Sequence, residues 1–333
     1  MDDYRYTYAV ARISVLSTRL IDKAFASRVL AAEPREILRM LSETDYAQSF
    51  ASIEDPADFD RGLIIELGKT YDLLHHICPE KEVIELLRKR YDFHNLKALL
   101  KAHLLEVPAN GSIIDLGTYA LEKLSATVSE NAYRFVPDYI RDTALQAVAA
   151  YEKTQKLEEI SRICDRAMWM HLIERAREVG NEIVIDLFRK HIDFVNIKTF
   201  IRIKEFAEDR DVLNASFIPG GSYTIDFFLH SLDEQISMFL THLDRGSEDR
   251  RVLSEGLSRW PEDRSFWRLE LAIDNYFLNR FYQMRNALFS IAPLIYYLLR
   301  KESDGKFLRT VIKSKMIGMA RNEIEERVRF LYV

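Results

Sequence analysis

The chain has 333 residues, a formal net charge of −5 and 48% hydrophobic residues, enough for a large buried core divided over two or three domains. Glycine and proline number only 11 and 8, too few for the many tight turns of an all-β fold. The negative charge argues against a protein whose main task is coating nucleic acid.

The start of the chain, MDDYRYTYAV, lacks the basic residues and apolar run of a secretory signal peptide. The most apolar window, Leu288–Leu299, covers 12 residues and is too short to span a bilayer. We therefore expect no direct transmembrane span. Cys78 and Cys164 lie in helix-patterned segments, which indicates neither a disulfide framework nor a metal site and fits a reducing compartment.

Helical periodicity runs through nearly every segment. Apolar residues recur at three- and four-residue steps from Leu63 to Cys78, directly before Pro79, and again from Ala320 to Leu331. No convincing alternating strand pattern interrupts them. The sequence predicts an all-α fold.

Four loops are predicted where helix breakers and small polar residues gather. They are Glu54–Asp60, Val107–Ser112, Asn214–Ser222 and Arg245–Asp249.

One stretch of sequence occurs three times. It reads LLRKRYDFHNLKALLKA from Leu86, LFRKHIDFVNIKTFIRI from Leu187 and LLRKESDGKFLRTVIKS from Leu298, so that the copies start 101 and 111 residues apart. This period exceeds that of common solenoids, and two predicted loops separate the copies. We therefore predict three homologous helical units, residues 1–108, 109–218 and 219–333.

The copies share an aspartate for which the sequence suggests a structural role. Asp92, Asp193 and Asp304 each follow an Arg-Lys pair of the kind that favours a helix C-terminus. We interpret the signature as a corner between two helices, with each aspartate as the N-cap of the second helix. In the third copy Gly305 is expected to loosen the corner.

Two further positions of the signature are basic in all three copies. The two residues of each copy lie four residues apart, on one helix face. These pairs are Lys97 with Lys101, Lys198 with Arg202, and Arg309 with Lys313. Like charges at this spacing mildly destabilise an isolated helix. The pairs are either a solvated surface or a basic face presented to a partner, and units arranged around an axis would place three such faces around a common opening.

The sequence contains no credible active site. Gly62–Thr70 (GLIIELGKT) resembles a phosphate-binding loop, but five residues separate its glycines and it lies in a helical stripe. The histidines offer no HxxxH or HExxH pair, and neither a DDxxD cluster, a GxSxG elbow nor a GxGxxG turn occurs. We expect no catalytic, cofactor-binding or metal-binding residues.

Several segments, in their order and spacing over essentially the whole chain, resemble those of a known family. They are YAVARISVL (Tyr8–Leu16), ILRMLSETDY (Ile37–Tyr46), DFHNLKALLKA, DFVNIKTFIRI and LRTVIKSKMIGMARNEIEERV. In this arrangement the chain is similar to the C subunit of the bacterial and archaeal V-type (A-type) ATPase, the counterpart of the eukaryotic d subunit. Lys306-Phe307 departs from the usual third signature of that family.

The resemblance implies a funnel of three helical units in pseudo-threefold arrangement. It implies a non-catalytic rotor component on the cytoplasmic face of the membrane, which caps the membrane proteolipid ring and seats the D and F subunits of the central stalk. The six basic residues are then candidates for one of these contacts. Two alternatives remain at this point, a generic helical scaffold outside any rotary motor and a helical enzyme with an unrecognised site.

Overall fold

The computed structural model describes residues 4–109, 111–206, 210–243 and 247–328, and it contains no β-strand in these ranges. The predicted all-α fold class is confirmed. Part of the predicted loops at 107–112 and 245–249, and the last residue of the C-terminal stripe, Leu331, lie outside the described residues.

The α-helices follow one another in chain order, with short 3-10 turns at Tyr4–Tyr6, Pro56–Asp58 and Tyr133–Phe135. They are α1 (Thr7–Ser17), α2 (Lys23–Ala31), α3 (Pro34–Leu41), α4 (Ala47–Phe50), α5 (Phe59–Ile77), α6 (Lys81–Leu104), α7 (Leu121–Ser129), α8 (Asp138–Thr154), α9 (Leu157–Val179), α10 (Glu182–Glu205), α11 (Arg210–Ser216), α12 (Ile225–His230), α13 (Ile236–His242), α14 (Glu248–Gly256), α15 (Trp260–Asp263), α16 (Trp267–Gln283), α17 (Ala292–Met316) and α18 (Arg321–Arg327).

Several helix ends follow directly from local sequence. Asp22 begins α2 by accepting a hydrogen bond from the Phe25 amide at 2.7 Å, and Pro34 occupies the first turn of α3, where its missing N–H is harmless. Gly180 ends α9 with φ of 75°, a left-handed conformation that glycine adopts without strain.

The signature does not form a helix corner. Each copy lies within one uninterrupted helix, α6, α10 or α17, of 24, 24 and 25 residues. The expectation that Asp92, Asp193 and Asp304 cap helices at corners is therefore wrong. No helix breaker interrupts the first two copies, and apolar residues continue on both sides of each aspartate, so that packing extends the helix through them.

Three predicted loops are shorter than expected, because helices extend into them. Helix α5 already begins at Phe59, and α11 continues to Ser216. At the fourth loop, α14 begins at Glu248.

The chain divides into two compact units, one formed by Met1–Pro79 with Leu240–Val333 and the other by Glu80–Phe239. In the first, hereafter the terminal unit, α17 packs against α1, α5 and α16. Its core joins Phe307, Leu308 and Val311 of α17 to residues of α2 and α3 such as Val29 and Ile37, all fully buried.

In the second, hereafter the central unit, α9 packs against α6, α8 and α10. Leu96, Leu100, Ile140 and Cys164 belong to its buried core. The predicted boundaries of the three sequence repeats differ from this division and stay a prediction.

Candidate functional site

The feature that the three signature helices share is a buried aspartate in the helix interior. Asp92, Asp193 and Asp304 are only 1%, 1% and 0% exposed. A buried carboxylate is costly unless hydrogen bonds or an opposite charge stabilise it. The partners of each aspartate therefore show what the signature does.

Asp92 binds a loop that follows its own helix in the chain. Its carboxylate accepts hydrogen bonds from the backbone amides of Thr118 and Tyr119, at 2.8 and 3.0 Å, and from the Thr118 hydroxyl at 2.5 Å. The phenol of Tyr139, at the start of α8, donates a further bond at 3.0 Å. One side chain thus joins α6, the following loop and α8.

The same loop is held at a second point one helical turn further along α6. Asn95 donates to the carbonyl of Ile114 at 2.8 Å and accepts from the amide of Ile114 at 2.9 Å, as a neighbouring β-strand would. At the first point, a Cβ atom on Gly117 would overlap the Asp92 carboxylate. Glycine is required there because the backbone approaches the carboxylate so closely.

The second copy repeats this geometry in α10. Asp193 accepts from the Ser222 amide at 2.6 Å, and Asn196 exchanges two hydrogen bonds with Ile218 at 2.8 and 2.9 Å. A Cβ on Gly221 would overlap Asp193. The matching segments are Ile114–Tyr119 and Ile218–Tyr223.

In the third copy the loop comes from the opposite end of the chain. Asp304 accepts from the Ile21 amide at 3.4 Å and from the Tyr46 phenol at 3.2 Å. Arg300 donates to the Ile21 carbonyl at 2.8 Å. Phe307 replaces the asparagine and is fully buried in the core. Ile21 and Tyr46, from the N-terminal part of the chain, therefore complete the last copy of the repeat.

The lysine of the signature lies over the tyrosine that binds the aspartate. The ammonium of Lys89 is 4.2 Å from the ring centroid of Tyr139, and that of Lys301 is 4.4 Å from the ring centroid of Tyr46. Such cation–π contacts are favourable, the more so when desolvated. In the second copy Lys190 lies 3.6 Å from Asp193 itself.

Lys301 also forms a buried ion pair with the helix α5. Its ammonium is 2.8 Å from the carboxylate of Glu66, which also accepts from the Ser49 hydroxyl at 2.6 Å. Lys69 donates to Ser49 at 3.0 Å. The buried charges of Lys301 and Glu66 are paired and hydrogen-bonded, the condition under which burial is tolerated.

The surroundings of Asp92 shift the pKa values of neighbouring groups. Burial, reinforced by the charge of Asp92, raises the pKa of the Tyr139 phenol, which therefore stays a hydrogen-bond donor. Burial lowers the pKa of Lys89. Burial, with the charges of Lys89 and Arg175, lowers the pKa of His171 to about 4, so that its ring is neutral at pH 7. The arrangement fixes donors and acceptors and is suited to holding helices and loops together.

Three of the six predicted basic residues contact an acidic residue of the same compact unit. Lys97 contacts Asp165 of α9 at 2.6 Å. Arg309 and Lys313 both contact Asp60 of α5, at 2.6 and 3.0 Å. Although burial alone would raise it, the pKa of Asp60 is lowered by the hydrogen bonds and charges of these two residues.

The remaining members of the basic pairs lie on α6 and α10. Lys101 and Lys198 are half-buried, and Arg202 is exposed. The acidic partners were missed from the sequence because they belong to other helices. A role of the six basic residues in partner binding stays a prediction.

Comparison with known proteins identifies the family of this chain. The sequence model of the ATP synthase (C/AC39) subunit family matches residues 9–327. The chain belongs to this family.

Similar members of the C/AC39 family come from archaea and bacteria. The C subunit of the A-type ATP synthase of Methanocaldococcus jannaschii is 24% identical over an alignment that covers 96% of this chain and 85% of that protein. Its counterpart in Desulfurococcus sp. (strain SY) is 27% identical, with 96% and 90% covered. The C subunit of the V-type sodium ATPase of Enterococcus hirae is 25% identical, with 94% of each chain covered.

In this C/AC39 family member, the structure also shows the segments that the sequence analysis considered as possible phosphate, metal or membrane sites. Gly62–Thr70 is entirely within α5 and forms no phosphate-binding loop. Among the residues with described positions, no group of three or more His, Cys, Asp or Glu side chains is placed to hold a metal ion. None of the helices in the described ranges combines the length and apolarity needed to cross a membrane.

Proposed function

We propose that this chain is a non-catalytic coupler in the central rotor of a V/A-type rotary ATPase. It sits on the cytoplasmic face of the membrane, caps the proteolipid ring and seats the D–F central stalk. Torque then passes through it between ATP chemistry and ion translocation. The observation that carries the proposal is the family match over residues 9–327, with relatives named as the C subunit of A-type ATP synthases along nearly the whole chain.

The internal structure supports a role in transmitting torque. A rotor component that transmits torque must resist deformation between its two contact faces. Long helices fixed to loops by buried carboxylates supply that stiffness, because each aspartate joins elements that are distant in sequence. Packed side-chain networks of this kind deform little.

Three repeats of one helix–loop motif also suit a pseudo-threefold, funnel-like body around an axis. Each repeat carries one basic pair at the same two signature positions, so that a threefold body would present these charges repeatedly to one partner. Because Asp60 and Asp165 offset part of the charge, the contact would orient the partner more than it would add affinity.

The first test is calorimetric binding of the full chain to the purified D–F stalk of its own ATPase, at low and high salt. Binding that weakens with salt is expected, because exposed charges are screened. The variant Lys198→Gln/Arg202→Gln should weaken binding at low salt. The matched control is Lys153→Gln/Lys156→Gln, which removes two charges from exposed positions outside the signature.

The results separate the parts of the proposal. If binding to D–F is tight but its affinity changes neither with salt nor with the Lys198/Arg202 substitutions, the coupler role stands and the basic contact is refuted. Absence of binding both to D–F and to the isolated proteolipid ring would refute the rotor assignment.

A further inference from the structure

The helix α1 has two apolar faces, and only one of them is used within the terminal unit. Ala9, Val10 and Ile13 are buried, and α1 packs against α17. On the opposite side Tyr8 and Val15 are 63% and 61% exposed. Such exposure of large apolar side chains along one helix marks a binding surface when the residues form a continuous stripe.

The exposed residues do form a stripe with the spacing of a helix–helix seam. Its members, all exposed, are Tyr4, Tyr8, Ala11, Val15 and Thr18. Tyr8, Ala11 and Val15 lie within α1, while Tyr4 belongs to the 3-10 turn before it and Thr18 is its C-cap residue. The steps alternate between four and three residues, and within α1 this is the 3.5-residue period at which one helix packs along another. We call this set the α1 stripe. At its start Tyr4 packs on Phe289, with ring centroids 4.8 Å apart.

Positive charge lies along one flank of the α1 stripe. Arg5, Arg12 and Arg19 are spaced seven residues apart, each directly after a stripe residue, and all three are exposed. No acidic residue occurs between them in the sequence. Arg12 donates a hydrogen bond to the Tyr8 hydroxyl at 3.1 Å, and Arg19 lies 3.7 Å from the exposed Asp45 of its own unit. The other flank carries two small, uncharged residues, Thr7 and Ser14. The stripe therefore presents an apolar seam with a basic edge.

We propose that the α1 stripe is the docking site for an amphipathic α-helix of another subunit. That helix carries an apolar seam of its own and acidic residues along the edge that meets the arginines. The small side chains of Ala11 and Thr18 let its backbone approach closely at those two positions. Tyr8 and Val15 supply the larger contacts.

The geometry disfavours the other occupants. If a second copy of this chain bound antiparallel, its arginines would face the arginines of the first copy. If it bound parallel, its arginines would face Thr7 or Ser14. Neither arrangement brings opposite charges together. A lipid surface is best matched by a broad face of large apolar residues. The α1 stripe is instead one residue wide, and the opposite face of α1 is already packed against α17.

The inference rests on the proposed function in one respect: it assumes that the partner helix belongs to a subunit of the same ATPase. It is tested by photo-crosslinking in living cells that contain the native ATPase. A benzophenone-bearing phenylalanine replaces Tyr8 or Val15 in the full chain, and the adducts are mapped by mass spectrometry. The matched control carries the same group in place of Phe135, which is 73% exposed but lies outside α1.

Both α1 positions should give adducts within one acidic, amphipathic helix of another ATPase subunit, and the Phe135 control should not. Arg12→Glu should lower the yield about fivefold, whereas Arg12→Lys should keep it within about twofold, because the edge is recognised by charge. Unchanged melting temperatures would show that both variants are folded.

Each other outcome has a definite meaning. Adducts confined to lipid, adducts to a second copy, or no adduct at positions 8 and 15 would overturn the inference. Adducts to an acidic helix of a protein outside the ATPase would keep the docking site and refute the rotor assignment.

Discussion

The aspartates of the signature act at the scale of single residues, each joining parts of the chain that local sequence does not connect. Asp92 binds amides 26 and 27 residues further along, and Asp304 binds an amide 283 residues earlier. Removing one member of a buried, hydrogen-bonded charge network is destabilising, because its partners then stay buried without a match. Here the carboxylate fixes which loop packs on the helix and at which residue.

Asp92→Ala tests this role. The change removes the acceptor for two backbone amides and two hydroxyls, some of which then stay buried without a partner. We expect a loss of about 2–4 kcal/mol in the free energy of unfolding, measured by urea denaturation followed by circular dichroism.

The control for Asp92→Ala is Asp115→Ala, in the same loop but exposed. It removes an aspartate without removing a buried acceptor and should change the free energy of unfolding by less than about 0.5 kcal/mol. Equal effects of the two substitutions would contradict the role assigned to Asp92.

At the scale of helices, the sequence predicted the features that depend on the spacing of apolar residues. The all-α fold class, the repeated signature and the helical nature of Gly62–Thr70 follow from apolar spacing. The continuity of α6, α10 and α17 did not follow, because aspartate favours caps and turns over helix interiors and basic residues favour a helix C-terminus. Each carboxylate accepts hydrogen bonds from groups distant in sequence, and the spacing of residues around the aspartate does not show which groups these are.

The partners did leave a signal in the sequence that can be recognised once the structure is known. The loop segments Gly117-Thr118-Tyr119 and Gly221-Ser222-Tyr223 match each other. Asp-Tyr also occurs at residues 45–46 and 138–139, and these tyrosines, Tyr46 and Tyr139, donate to the signature aspartates of the third and first copies. A comparison of the regions before and between the signatures would have found both patterns, together with a further Asp-Tyr pair at residues 3–4.

Gly305 provides a test of helix continuity. It lies one residue after Asp304 inside α17, and a Cβ there would meet nothing within 4 Å. Because alanine has the higher helix propensity, Gly305→Ala should raise the free energy of unfolding by about 0.5–1 kcal/mol. The measurement is the shift in the urea midpoint. Destabilisation would indicate the helix corner that the sequence had suggested.

Gly117→Ala is the contrasting substitution. Its Cβ would overlap the Asp92 carboxylate, so that either the loop or the aspartate must move. We expect destabilisation, opposite in sign to the effect of Gly305→Ala, although the chemical change is the same. The urea midpoint again measures it.

At the scale of the whole molecule, the sequence repeats and the compact units divide the chain differently. The repeats suggest cuts near residues 108 and 218, whereas the central unit is Glu80–Phe239. The difference arises because each structural repeat consists of a signature helix and the loop that its aspartate binds. In the first two copies that loop follows the helix, so that it falls beyond the cut that the sequence suggests. For the third copy it is supplied by Ile21.

This difference predicts which fragment folds alone. The fragment 80–239 contains both Asp92 and Asp193 together with the loops that they bind, Thr118–Tyr119 and Ser222. We expect it to be helical and to unfold cooperatively, as measured by circular dichroism during urea denaturation. The fragment 1–108 contains Asp92 without Thr118 or Tyr139, and α1 and α5 without α17. It should lack a cooperative transition, because its buried carboxylate and its apolar faces lose their partners. Cooperative unfolding of 1–108, with none for 80–239, would show that the sequence repeats are the folding units of this chain.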